Sequence, residues 1–190
     1  MVQAIIFDCF GVLATDGWLP FRDRYFGHDP ELLERASVSN KRVDAGLQSY
    51  DDFFEEMATL SGLDVAETRR QIVNNVPNEK LLAYLSHDLK PHYKLGFLSN
   101  AGQNWLSTIF TPEQIELFDA IVLSYEIGAI KPDPITYETV AMKLGVAPEA
   151  CVFIDDQLRY CDGARAVGMQ AICYENTEQT IAELEKILHA

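Results

Sequence analysis

Five short apolar runs, each followed by a stretch at helical spacing, limit what this chain can fold into. The runs cover residues 2–7, 93–98, 120–123, 151–154 and 170–174. They are largely apolar, with Gln3, Lys94 and Gln170 near their starts, and carry β-branched and aromatic residues, as befits a strand covered on both faces. Helical patterns fill the intervals: 78–85 with Asn78 as cap, 101–110, 135–144 closed by Gly145, 161–167 ended by Gly168, and 177–189 with Thr177 as cap. Repeated βα units of this kind predict an α/β fold, a parallel sheet with helices on both faces.

One interval differs. From Trp18 to about Pro77 no strand is legible, and the apolar residues fall at helical spacing. Asp29-Pro30 begins one helix, as N-cap and first-turn proline. Ser49 caps a second with Asp52 in its first turn, and a third runs through residues 64–72. The expected organisation is a core of residues 1–15 and 78–190 with a helical insertion at 16–77.

The 190 residues suit one domain with a modest insertion, and a 48% hydrophobic content supports a sizeable core. No apolar run is long enough to span a bilayer, and no basic region precedes an apolar stretch at the amino terminus. The expectation is a cytoplasmic protein, monomer or dimer, with no membrane partner. A net charge of −14 also disfavours nucleic acid, but admits a small phosphorylated ligand where a lysine or metal reverses the local sign. Cys9, Cys151, Cys161 and Cys173 form no CxxC pair and read as structural thiols in a reducing compartment.

Three runs end in polar residues: Asp8 after the first, Ser99-Asn100 after the second, Asp155-Asp156 after the fourth. Lys131 lies in the loop Gly128-Ala129-Ile130-Lys131-Pro132-Asp133-Pro134, just ahead of a helix. If the strands are parallel and adjacent, all these groups face one crevice, at the sheet edge where open α/β folds bind ligands. Clustered carboxylates repel one another unless a hard cation such as Mg²⁺ sits among them. A serine hydroxyl can hold phosphoryl oxygens, a lysine can offset transition-state charge, and an aspartate in line with phosphorus can attack it.

With these four motifs in this order, the sequence resembles the haloacid dehalogenase-like hydrolases. The motifs are Phe7-Asp8-Cys9-Phe10-Gly11-Val12-Leu13; Gly96-Phe97-Leu98-Ser99-Asn100; Lys131 in Lys131-Pro132-Asp133-Pro134; and Val152-Phe153-Ile154-Asp155-Asp156, followed by Gly163-Ala164-Arg165-Ala166-Val167-Gly168. The resemblance implies a Rossmann-like core, a mobile helical cap over the crevice and a nucleophilic Asp8. It also implies phosphate binding by Ser99, Asn100 and Lys131, and Mg²⁺ held by Asp8, the Phe10 backbone carbonyl and Asp156, with Asp155 as a second ligand or a hydrogen-bond acceptor behind it. Arg22, Arg24, Lys41 and Arg42 are the insertion's cations with a chance of reaching a substrate.

The pattern is broken at Phe10. Phosphatases of the family usually carry a second aspartate there, which protonates the leaving group and later activates water. A positioned acid–base group typically contributes roughly 10²–10⁴-fold, so its loss predicts a slow phosphatase or another activity. An aromatic at this position resembles the 2-haloacid dehalogenases, which need no proton donor; retention of Asp155 and Asp156 points back to a metal. The expectation is therefore a Mg²⁺-dependent phosphomonoester hydrolase, with a dehalogenase-like enzyme or a catalytically weak phospholigand-binding protein as alternatives. Tyr160, where relatives often carry asparagine, is a smaller departure. A response-regulator receiver is disfavoured by the place of the acidic pair, at the fourth strand instead of the first, and by the size of the helical insertion.

Overall fold

The computed structural model describes residues 1–189. Five parallel strands form one sheet: β1 (Ala4–Phe7), β2 (Lys94–Ser99), β3 (Ala120–Leu123), β4 (Cys151–Asp155) and β5 (Gln170–Cys173), in the order β3-β2-β1-β4-β5. The first strand made is thus the central one, with Phe7 in register with Phe97 on one side and Ile154 on the other. All four β1 residues are fully buried. Alternate side chains serve two cores, Ile5 and Phe7 in one, Ala4 and Ile6 in the other, as the two-residue strand period requires.

Eleven α-helices accompany the sheet among the described residues: α1 (Trp18–Phe26), α2 (Pro30–Asp44), α3 (Tyr50–Ser61), α4 (Val65–Val73), α5 (Glu79–Tyr84), α6 (Leu106–Ile109), α7 (Pro112–Ile115), α8 (Ser124–Ile127), α9 (Pro134–Leu144), α10 (Leu158–Ala166) and α11 (Thr177–Leu188). On one face α5 and α11 cover Ile5, Phe7, Leu95 and Ile154; on the other, Val140, Leu144 and Ala164 of α9 and α10 cover Ile6 and Phe153. Gly96 permits the approach of α9, since a Cβ there would stand 2.9 Å from Ile6 Cγ1 and 3.0 Å from Leu144 Cδ1.

Helices α1–α4 surround a third core of Phe21, Phe26, Val43, Phe53, Phe54, Met57 and Ile72. Their caps follow the sequence: the Asp29 carboxylate accepts from the Glu31 and Leu32 amides, Ser49 from Asp52, and Asp64 from Glu67. The chain enters and leaves this segment side by side, with Ala14 bridged antiparallel to Pro77 and the Thr15 amide donating to the Val76 carbonyl at 2.9 Å.

Several expectations need correction. Helix α1 is a fourth helix in the insertion, where three are legible; its Pro20 falls in the first turn, where a missing amide costs nothing. The stretch 101–110 is helical only from Leu106, because Ala101 is pinned by its amide to the Ser124 hydroxyl at 2.8 Å. Helices α7 and α8 are additional, and α10 begins at Leu158, ahead of Cys161. Helix α11 is capped by Asn176, not Thr177, whose hydroxyl is turned inward to Asn78 and Tyr174.

Candidate active site

Because β1 is central, its carboxyl end lies between the ends of β2 and β4, and the strand-end residues converge. Lys131 is the hub. Its ammonium is 2.7 Å from Asp8 Oδ1 and 2.6 Å from Asp155 Oδ2, and all three residues are buried. Burial alone would strip the proton from this lysine, but Asp155 and Asp8 outweigh it and hold its pKa above the ordinary value. The Asn100 side chain fixes the lysine's backbone: its Oδ1 accepts from the Lys131 amide at 2.8 Å, and its Nδ2 donates to the Lys131 carbonyl at 3.4 Å. The Tyr160 ring lies 4.9 Å from the ammonium and the Phe153 ring 5.4 Å, walling it from water on their side.

Asp8, Asp155 and Asp156 each bring an oxygen within 4.8 Å of the others. The acidic pair of β4 is not equivalent. Asp155 has both oxygens engaged, one by Lys131 and the other by the Gln157 amide at 2.8 Å. Asp156 Oδ1 is buried with no hydrogen-bond partner. Burial, reinforced by Asp155 and Asp16, pushes the Asp156 carboxyl up to about 6; burial likewise pushes Asp8 up, against the pull of Lys131. Gly11, at φ +89°, passes so close that a Cβ would stand 2.6 Å from Asp156 Oδ2. An unsatisfied buried oxygen, three converging carboxylates and a glycine-walled recess fit a small divalent cation with oxygen ligands.

A cavity of about 530 Å³ opens between this edge and the helical insertion. Asp8, Phe10, Asn100 and Lys131 line it from below; Arg22 and Lys41 line it from the insertion, whereas Arg24 and Arg42 do not reach it. Ser99 is not on this wall. It is buried, borders a separate small void with Cys9 and Phe10, and makes only a 3.5 Å contact to the Asn100 carbonyl. Phe10 lines both spaces. Sequence reasoning missed Asp16 and Asp44 on the cavity wall, and missed that Tyr160 shields Lys131. Cys9 is no competing nucleophile, since burial and the neighbouring Asp8 keep its thiol protonated.

Known proteins are similar to this chain in sequence and in fold. A protein of Mycobacterium tuberculosis named as a phosphatase is 42% identical over 201 residues, covering 94% of this chain and 90% of its own length. A sesquiterpene phosphatase of Aspergillus oryzae is 25% identical over 202 residues, covering 98% and 96%. Among solved structures, a Bacteroides thetaiotaomicron enzyme of the haloacid dehalogenase family, complexed with magnesium and inorganic phosphate, has the same fold at a TM-score of 0.70 and 20% identity, over 90% of this chain and 93% of that one. The family model described as haloacid dehalogenase-like hydrolase matches residues 44–174, and with that match this chain belongs to the haloacid dehalogenase-like hydrolases.

Proposed function

We propose that the protein hydrolyses phosphate monoesters of small molecules, with Asp8 as nucleophile and Mg²⁺ as cofactor. The observation that carries this reading is the triad of carboxylates around Lys131 with one orphaned oxygen on Asp156, at the foot of a closed-over cavity. The metal would be held by Asp8, Asp156 and the Phe10 carbonyl, with Asp155 behind them orienting Lys131. Bound there, it would supply positive charge against the phosphoryl oxygens and relieve the repulsion among the acids. Asp155 is the weaker ligand candidate, because its two oxygens already have partners.

Asp8 attacks phosphorus and becomes an aspartyl phosphate; Lys131 holds the Asp8 carboxylate in line and offsets the phosphoryl charge. Asn100 keeps Lys131 in place and offers its amide toward the substrate. Ser99 lies off the cavity wall, so its hydroxyl reaches a phosphoryl oxygen only by turning from its weak contact with the Asn100 carbonyl toward Asp8. Helices α1–α4, within residues 16–77, act as a cap that closes over the bound ester and excludes water. The cavity walls suit an ester with an apolar body, being aromatic at Trp18, Tyr50, Phe53 and Trp105, with Arg22 and Lys41 for further anionic groups. The four unpaired thiols accord with a reducing compartment such as the cytoplasm.

Phe10 supplies no proton, so either another group on the cavity wall does so or the reaction is confined to good leaving groups. Turnover of p-nitrophenyl phosphate with Mg²⁺, its loss in EDTA and its abolition in Asp8→Asn are the expected results. Halide release from 2-chloropropionate without metal, and no phosphate release, would overturn the reading in favour of a dehalogenase.

A further inference from the structure

Three carboxylates line the cavity besides Asp8: Glu34, which is solvent-exposed, and the partly buried Asp16 and Asp44. Asp16 stands at the amino-terminal end of α1, where its Oδ1 accepts from the Trp18 amide at 2.7 Å and the Leu19 amide at 3.3 Å. Burial raises its pKa, and the two backbone donors at the positive end of the helix offset part of that rise. Asp44 is the last residue of α2, at the negative end of that helix, and its carboxyl receives one hydrogen bond, from Asn40 Nδ2 at 2.9 Å. Here the helix opposes ionisation. The charged and titratable groups around it are Asp16 before α1, Tyr50 on α3, Lys131 in the loop before α9, and Tyr160 on α10.

Asp44 is also held against the core. Its backbone carbonyl accepts from the Ser124 hydroxyl at 2.5 Å, and Ser124, directly after β3, accepts in turn from the Ala101 amide at the end of β2. The backbone of Asp44 is therefore tied to the sheet edge, although it belongs to the insertion, and Asp44 lines the same cavity as Asp8.

We propose that Asp44 supplies the acid–base step that Phe10 cannot, protonating the leaving-group oxygen and afterwards activating the hydrolytic water. The inference rests on the phosphomonoesterase reading above. In the first half-reaction an Asp8 oxygen bonds to phosphorus and the bond from phosphorus to the ester oxygen breaks. The electron pair leaves on that oxygen, and the Asp44 proton moves to it, giving the free alcohol. In the second half-reaction the Asp44 carboxylate takes a proton from water while the hydroxyl oxygen bonds to phosphorus. The bond between phosphorus and Asp8 breaks, its electron pair returns to the carboxylate, and inorganic phosphate leaves with Asp44 protonated again. Burial, with the Asp16 charge nearby, pushes the Asp44 carboxyl up to about 7, so it holds its proton at the start of the cycle and can release it near neutrality.

The test compares rates on β-glycerol phosphate, a poor leaving group, and p-nitrophenyl phosphate, a good one, with the full chain and Mg²⁺. Asp44→Asn should lose roughly 10²-fold or more on the alkyl ester and less than about tenfold on the aryl ester. In the unaltered protein the ratio of alkyl to aryl turnover should fall as pH rises through neutrality, a measurement that needs no variant to fold. Equal losses on both esters, or none, would overturn the assignment, as would an alkyl-to-aryl ratio in the unaltered protein that does not change with pH; in each case aryl turnover that still needs Asp8 leaves the phosphomonoesterase reading standing. A differential loss in Asp16→Asn but not in Asp44→Asn would move the role to Asp16. Absence of turnover on both esters by the unaltered protein would overturn the phosphomonoesterase reading, and this inference with it.

Discussion

Lys131 has no solvent to fall back on. Its ammonium is buried between Asp8 and Asp155, so removing the charge leaves two nearly buried carboxylates facing each other. Breaking a buried ion pair from one side typically costs roughly 3–5 kcal/mol. Lys131→Met should therefore lower the unfolding free energy of the metal-free protein by about that much near neutral pH, read by urea denaturation, and by less near pH ~5, where the Asp8 carboxyl can take up a proton instead. A neutral effect at both pH values would show that the triad relaxes without its cation. Asp8, Asn100 and the Asp155-Asp156 pair are legible in the sequence, because an apolar run that stops at a polar residue advertises its end, and Lys131 is legible from its loop ahead of a helix. Asp44 and Tyr160 are not. Each sits in a helix among ordinary polar neighbours, and only the folding of α2 and α10 over the sheet edge brings it to the crevice.

At the scale of elements, the two crossings into the helical insertion behave as one structure. Thr15 and Val76 exchange hydrogen bonds, the Gly17 amide donates to Asn75 Oδ1 at 3.0 Å, and the Asn78 amide donates to the Leu13 carbonyl at 2.8 Å. If the insertion closes on its ligand, bending concentrates at these few residues. Vanadate with Mg²⁺ should slow hydrogen exchange at the amides of Thr15, Gly17 and Val76; unchanged exchange with the analogue demonstrably bound would mean a rigid insertion. Strands and the better-capped helices are readable from sequence, since Asp29-Pro30, Ser49 and Asp64 announce their helices locally. Helix α1 is not, because Trp18-Leu19-Pro20-Phe21 carries a proline and two aromatics in its first turns and takes its helicity from packing of Phe21 and Phe26 in the third core. The irregular 101–105 segment fails for the opposite reason: its composition permits a helix, and the Ser124 contact forbids one.

Over the whole molecule the acids of the crevice set the pH response. Burial raises the pKa of Asp44 to about 7 and of Asp156 to about 6, and raises Asp8 and Asp16 as well. Groups raised in the folded state bind more protons there than in the unfolded chain, so their contribution to stability is lost as pH rises from about 4 through 7. Asp119, lowered by the Lys90 and Leu95 bonds despite some burial, works in the other direction and matters only below about pH 4. The melting temperature in EDTA should accordingly be highest near pH ~5 and fall toward pH ~7.5, and Mg²⁺ should recover more at the higher value. A melting temperature that rises steadily over that range in EDTA would contradict the clustering of raised acids. The α/β class is plain from the alternation of runs, but the order β3-β2-β1-β4-β5 is not, since nothing local in residues 2–7 says that they take the centre. That placement has a consequence for synthesis. Strand β1 is made before both its partners, Lys94–Ser99 and Cys151–Asp155, so its two edges stay open until those later segments emerge. Asp8 precedes Lys131 and the Asp155-Asp156 pair by most of the core, so a product interrupted between them holds the proposed nucleophile without the groups that surround it.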